Sequence, residues 1–171
     1  MAKLNTKHKG DFYTPKVLAD WMVFYLSKYF TKPIEVLEPS CGNGIFIDSL
    51  NKSKIPVLSF YGVELDKAAI ASIQPAQNIL NIRIYNDDFL YWETQSKYNL
   101  IIGNPPYIVR KRLRVDQASR CKEIHKEHSL LNHEVANIWT SFLLKAEAYL
   151  KDDGVLAFVL PTEILQVKNA K

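Results

Sequence analysis

A chain of 171 residues with 47% hydrophobic content is long enough to bury one sizeable core, so a single domain spanning residues 1–171 is expected. Charged residues at 23% with a net charge of +4 exclude an extreme polyelectrolyte and leave a mild preference for polyanions such as nucleic acid. Two cysteines, Cys41 and Cys121, are too few for a disulfide framework or a zinc site; residues 1–10 are polar and lysine-bearing, and no apolar run reaches membrane-span length, so a cytoplasmic protein with no membrane and no metal partner is expected.

Thr14-Pro15 predicts a helix start, with the hydroxyl as N-cap and the proline in the first turn, where a missing N–H costs nothing; the helix is expected to run to about Phe30. Val17, Leu18, Trp21, Met22, Tyr25 and Tyr29 recur at three- and four-residue intervals and define the face expected to pack, opposite a solvated face with Lys16, Asp20 and Lys28. Ile34 to Leu37 reads as a strand closed by a glycine-bearing turn, with a helix starting at Ile45. Further strands are predicted at Val57 to Leu65, Ile82 to Tyr85, Leu100 to Ile102 and Gly154 to Leu160, and further helices at Lys67 to Ile73 and Ala136 to Leu150. The charged, weakly periodic stretch from Val109 to His133 reads as a mobile loop with room for one helical piece.

Apolar strands alternating with helices predict an α/β fold with a doubly wound, mostly parallel sheet, and in such sheets ligands bind beyond the carboxyl ends of the strands. Every polar cluster of interest falls at such an end. Glu38-Pro39-Ser40-Cys41-Gly42-Asn43-Gly44 places two glycines at the first strand-to-helix turn, where backbone must approach a ligand closely, although an ordinary tight loop has the same appearance. Glu64 ends the second strand 20 positions after Gly44, the interval at which an acid meets ribose hydroxyls in dinucleotide folds; a solvated strand-end carboxylate is the alternative. Asp48 stands where a third glycine would serve a pyrophosphate, and no Walker-type lysine follows Gly44, so a nucleoside without phosphates fits better. Asp88-Phe89, after the third strand, offers a carboxylate to accept from an adenine amino group and a ring to cover the base, or else a strand-terminating acid beside a core phenylalanine.

Asn104-Pro105-Pro106-Tyr107 is the sharpest feature. Its prolines hold Asn104 and Pro105 extended, which makes the Asn104 side-chain oxygen and the Pro105 carbonyl a rigid acceptor pair. Such a pair suits a planar amino group such as adenine N6: accepting both hydrogens draws the nitrogen towards tetrahedral geometry and localises its lone pair. In-line attack on a sulfonium methyl then requires positioning and no covalent intermediate. Tyr107 offers a flat face to a base rotated out of a duplex, and stacking of about 1–3 kcal/mol would offset much of the unstacking cost. Arg110, Lys111, Arg112 and Arg114 follow directly and read either as phosphate contacts or as a solvated charge run. His125 and His128 share a helical face but have no carboxylate or cysteine companions, which speaks against a metal site.

These motifs resemble the amino-methyltransferase family, in which a strand ends in Asp/Asn/Ser-Pro-Pro-Tyr/Phe/Trp, and its N6-adenine DNA members in particular. The resemblance covers nearly the whole chain, in the order Gly10-Asp11-Phe12-Tyr13-Thr14-Pro15, glycine loop, Glu64, Asp88-Phe89, Asn-Pro-Pro-Tyr. It implies a Rossmann-like class I fold with S-adenosyl-L-methionine as cofactor. By resemblance Thr14 and Pro15 lie by its methionine part, Glu38, Pro39, Ser40, Cys41, Gly42 and Gly44 beside its amino acid moiety, Glu64 on the ribose and Asp88 and Phe89 on the adenine. Phe142 is similar to an aromatic lining the same pocket, with core packing as the alternative. Cys41 reads as a packing residue, since the cytosine-C5 family presents its nucleophile after a proline at the fourth strand.

The resemblance further implies double-stranded DNA as substrate and a cognate restriction endonuclease or recognition subunit as partner. Family members continue through two more strands and a domain that reads DNA sequence, so a C-terminally incomplete fold is expected, able to bind cofactor but poor at site-specific methylation. A release-factor glutamine methyltransferase shares the Asn-Pro-Pro-Tyr turn, and RNA adenine is a further alternative; the Phe12-Tyr13-Thr14-Pro15 segment favours the DNA group. A cofactor-binding fragment without activity is the non-enzymatic alternative.

Overall fold

The computed structural model describes residues 13–129 and 135–162. Gly10-Asp11-Phe12, the end of the connector read as running to His133, and the segment after Thr162 lie outside the described residues. The elements are α1 (Lys16–Leu26), β1 (Ile34–Glu38), α2 (Ile45–Asn51), β2 (Val57–Glu64), α3 (Lys67–Ala71), β3 (Asn81–Asn86), β4 (Tyr98–Gly103), a 3-10 turn (Arg110–Arg112), α4 (Val115–Glu127), α5 (Ile138–Glu147) and β5 (Leu150–Phe158). The strands form one parallel sheet in the order β3-β2-β1-β4-β5. From β1 the chain winds outward through β2 and β3, then returns to place β4 on the other side of β1. The reversal therefore falls between β1 and β4, where the two following loops part and leave a crevice.

Strand alternation distributes the core. Val36, Phe60, Leu100 and Ile102 pack with α1 and α2 on one face, while Leu37, Val63 and Ile101 pack with α4 and α5 on the other. Tyr98 departs from this parity and packs in the second cluster, and the β4–β5 register shifts between Tyr98 and Leu100. That shift also explains why β5 starts at Leu150, four residues before the apolar run predicted at Gly154. Lys151-Asp152-Asp153-Gly154 is accommodated as an irregularity of the strand, with Lys151 Nζ on Glu35 Oε2 and Asn99 Oδ1 at 3.0 and 3.1 Å. Gly154 has no room for a side chain: a Cβ there would lie 2.9 Å from the Lys151 carbonyl oxygen.

The start and the packing face of α1 differ from expectation, and the helical piece of the connector is longer than its weak periodicity suggests. Pro15 is the last extended residue (ψ 136°) and itself caps α1, while the Thr14 side chain makes no capping bond; the Pro15 carbonyl accepts from Leu18 and Ala19 at 2.9 and 3.1 Å. The packing face of α1 is Ala19, Val23 and Leu26, whereas Val17, Trp21, Tyr25 and Tyr29 are 81%, 59%, 47% and 55% exposed. Small residues let α1 approach α2 closely, and Asp20, read as solvated, accepts a 2.7 Å hydrogen bond from the buried Ser49 that fixes the helix rotation. The connector after Val109 contains a 13-residue helix, α4. Cys121, Ile124 and His125 are its buried residues, and Arg120 pairs with Glu123 and Glu127 along the outside. Charge masked this periodicity.

The corrected face of α1 predicts that Leu26→Ala costs about 2–5 kcal/mol, while Val17→Ser changes stability by no more than about 0.5 kcal/mol. Urea denaturation of the two variants checks the assignment.

Candidate active site

The carboxyl ends of β1, β2, β3 and β4 open into one cleft of about 210 Å³. Thr14, Glu38 to Gly42, Glu64, Asp88, Phe89, Asn104 to Tyr107 and Phe142 all line it. The predicted cofactor and reaction residues are thus brought together, apart from Pro15 and Gly44, which do not line the cleft. Gly44 acts one step back: its φ of +81° turns the chain into α2, and a Cβ there would lie 3.1 Å from Ile73 Cγ2. Sequence reasoning missed Asn43, Leu65, Asp66, Ile108, Gln117 and Ile138, which also line the cleft. Gln117 carries no local signal, because the charged connector that holds it is only weakly periodic.

The loop after β1 is held from beneath by Glu64. Gly42 N–H donates to Glu64 Oε2 and Asp66 N–H to Glu64 Oε1, each at 2.8 Å. Both carboxylate oxygens keep a lone pair for hydroxyl donors. Glu38 is 1% exposed, and its Oε2 meets no donor among the described residues. Burial first, and the neighbouring Glu64 second, hold its carboxyl well above the usual carboxylate range. The Cys41 thiol is pushed up in the same way, by burial and then by Glu38 and Glu64, and its sulfur packs so closely that a Cβ on Gly62 would lie 2.8 Å away. Such a thiol is inert, in keeping with a packing role.

At the third strand end, Asp88 Oδ1 accepts from Leu90 N–H at 3.1 Å. Phe89 is buried against Phe142 with ring centroids 5.1 Å apart, so Phe142 both lines the cleft and belongs to the core. On the opposite wall the Ser40 hydroxyl donates to the Asn104 carbonyl at 3.1 Å, tying the β1 loop to the Asn-Pro-Pro-Tyr turn. The Tyr107 oxygen lies 2.5 Å from Asn104 Oδ1 and 2.7 Å from the Val159 carbonyl. A phenol has one hydrogen, so it serves only one acceptor. It therefore alternates between the Asn104 side-chain oxygen and the Val159 carbonyl, and links the turn to the end of β5. Tyr107, expected as a stacking face, thus also meets the Asn104 side chain through its hydroxyl.

The basic run divides. Arg110 and Lys111 line a shallow groove beside the cleft together with Lys122 of α4, and Arg112 is exposed. Arg114 pairs instead with Asp116 at 3.0 Å and lies 3.8 Å from Asp88. His125 faces Thr140 at 3.1 Å and His128 faces Glu147 at 3.8 Å, so both turn towards α5.

An orphaned, buried carboxyl oxygen beside a second acid, a tight glycine loop and a rear aromatic pair fit a cationic nucleoside without phosphates. Comparisons with known proteins agree. Residues 44–171 match the model of the Eco57I restriction-modification methylases. The chain is 33% identical over 168 residues to modification methylase CviBIII of Paramecium bursaria Chlorella virus NC1A, covering 96% of this chain and 41% of that one. It therefore spans about two fifths of that relative. The fold superposes on the methyltransferase subunit of a type I restriction-modification system from Streptococcus thermophilus with a TM-score of 0.67 at 22% identity, covering 91% of this chain and 36% of that one. It also superposes on an S-adenosylmethionine-dependent methyltransferase from Clostridium acetobutylicum, with a TM-score of 0.53 at 14% identity over 91% of this chain and 55% of that one. The fold is the Rossmann-like one of class I methyltransferases, and S-adenosylmethionine is their cofactor. The chain belongs to the Eco57I restriction-modification methylase family.

Proposed function

We propose that this chain carries the methyl-transfer site of an enzyme that modifies the N6 amino group of adenine in DNA. The observation that carries the reading is the shared cleft: the Asn104-Pro105 acceptor pair lines the same cleft as Glu38, Glu64 and Asp88, with Ser40 bonded to the Asn104 carbonyl. S-adenosylmethionine, when bound, supplies an electrophilic methyl on a sulfonium. Glu38 receives its ammonium group, Glu64 its ribose hydroxyls, and Asp88 with Phe89 its adenine.

The remaining task of the protein is to make an aromatic amine nucleophilic. Asn104 Oδ1 and the Pro105 carbonyl accept the two N6 hydrogens and stabilise the positive charge that develops on nitrogen during attack. Among the described residues none donates to the Pro105 carbonyl, so it keeps its acceptor capacity. The target base reaches this pair by rotating out of the duplex. Arg110, Lys111 and Lys122 beside the cleft, with the exposed Arg112, meet the phosphates flanking it, a restriction endonuclease is the functional partner, and recognition of sequence is supplied by further protein.

Incubating the full-length protein that carries this chain with methyl-labelled S-adenosylmethionine and DNA, RNA or release factor in parallel tests the substrate class. Label is expected on DNA adenine and falls by about 10²–10³ in Asn104→Ala; label on RNA or on protein contradicts the reading. A second expectation concerns protons. In the free protein Glu38 has a raised pKa and holds its proton, whereas a bound ammonium favours the carboxylate. Between the usual carboxylate range and the raised value, cofactor binding therefore releases a proton and affinity rises with pH. The calorimetric enthalpy should depend on the ionisation enthalpy of the buffer, and Glu38→Gln should abolish that dependence; a buffer-independent enthalpy in the native chain contradicts it.

A further inference from the structure

The helix inside the charged connector reaches into the cofactor cleft. Gln117 of α4 lines it, and its Nε2 donates to Asp88 Oδ2 at 3.0 Å. Asp88 is an acceptor only, so the amide must present its nitrogen there. With Leu90 N–H on Oδ1 at 3.1 Å, both carboxylate oxygens are held from the protein side and the carboxylate plane is fixed. Each oxygen retains a lone pair. The Asp88 side chain is only 14% exposed, which strengthens a bond made to it.

The placement of Gln117 is not an isolated contact. Residues 114–120 of the connector run alongside residues 88–93: Tyr91 donates to Asp116 at 3.3 Å, Arg120 Nε donates to the Leu90 carbonyl at 3.1 Å, and Arg120 pairs with Glu93 at 3.4 Å. Cys121 and Ile124 anchor the same helix in the core. A long, flexible amide at position 117 is thus presented by a seated helix and not by a swinging loop.

We propose that Gln117 is a positioning residue for recognition of the cofactor's adenine: by fixing Asp88, it sets the acceptor that distinguishes a 6-amino from a 6-oxo purine. The proposal rests on the reading that Asp88 faces the adenine. A carboxylate oxygen accepts from an exocyclic amino group and repels an exocyclic carbonyl. Removing the bond from Gln117 leaves Oδ2 only the longer contact with Arg114 at 3.8 Å, so the carboxylate is held less firmly and that distinction weakens without touching the ribose or amino acid contacts.

The test is calorimetric titration of the chain with S-adenosylhomocysteine and S-inosylhomocysteine. Native protein is expected to prefer the adenosyl ligand. Gln117→Leu should weaken the adenosyl ligand about tenfold, the size of a lost charge-assisted hydrogen bond, and change the inosyl ligand less than about twofold, with an unchanged melting temperature. Gln117→Glu keeps the side-chain shape but sets a second carboxylate against Asp88, and should weaken the adenosyl ligand as well. Equal weakening of both ligands, or no change in either, overturns the proposal. Asp88→Ala separates the two layers. If it abolishes the preference while Gln117→Leu retains it, the role of Gln117 fails and the Asp88 reading stands; if it leaves the preference intact, the adenine lies elsewhere and both fail.

Discussion

A hydrogen bond from the Ser40 hydroxyl to the Asn104 carbonyl is the link on which the site depends. It spans the one place in the sheet where neighbouring strands send their chains in opposite directions, β1 towards β2 and β4 towards β5. Loops that diverge make a crevice, and nothing in the strand pairing fixes its width. The Ser40 bond does so, with one partner in the glycine loop and the other the backbone of the first residue of the Asn-Pro-Pro-Tyr turn. The prolines then transmit that fixed point to the acceptor oxygens, because they deny the turn other conformations.

The floor of the crevice is built at a cost to the fold. Glu38 ends a buried strand and has an oxygen without a donor among the described residues, an arrangement that costs free energy unless the group stays protonated or meets a ligand. Glu64 close by adds repulsion. A hydrophobic residue in place of Glu38 would relieve that cost in the empty protein, whereas Glu64 is tied to the fold by the N–H groups of Gly42 and Asp66. Retaining two acids there makes sense for a site that receives a cation together with hydroxyl groups, and the glycine loop lets backbone come close enough for both. The compensation lies beneath, where two faces of a parallel sheet are covered by separate apolar clusters.

Much of this was legible in the sequence because its signals are local. Strand-end acids, paired glycines and a double proline each constrain a few consecutive residues, and Glu38, Glu64, Asp88 and Asn104 meet where a doubly wound sheet must place them. Rotation of α1 was not legible. Its aromatic stripe has the spacing of a packing face, yet Ala19, Val23 and the Asp20–Ser49 bond decide which side meets α2. α4 was hidden by charge, since Arg120 and its carboxylate partners dilute a buried stripe of only a few residues. With it Gln117 was missed, a long-range contact 29 positions from Asp88. The second hydrogen-bonding role of Tyr107 likewise depends on Val159, a residue of the β5 end 52 positions away.

The central claim is that one cleft holds a methyl donor and an amino-group acceptor site facing each other. A crystal structure of the chain with S-adenosylhomocysteine tests it most directly. The ligand ammonium is expected within hydrogen-bond distance of Glu38 Oε2, its adenine at Asp88, and its sulfur facing Asn104. A ligand bound outside the cleft, or one whose sulfur faces away from Asn104, contradicts it.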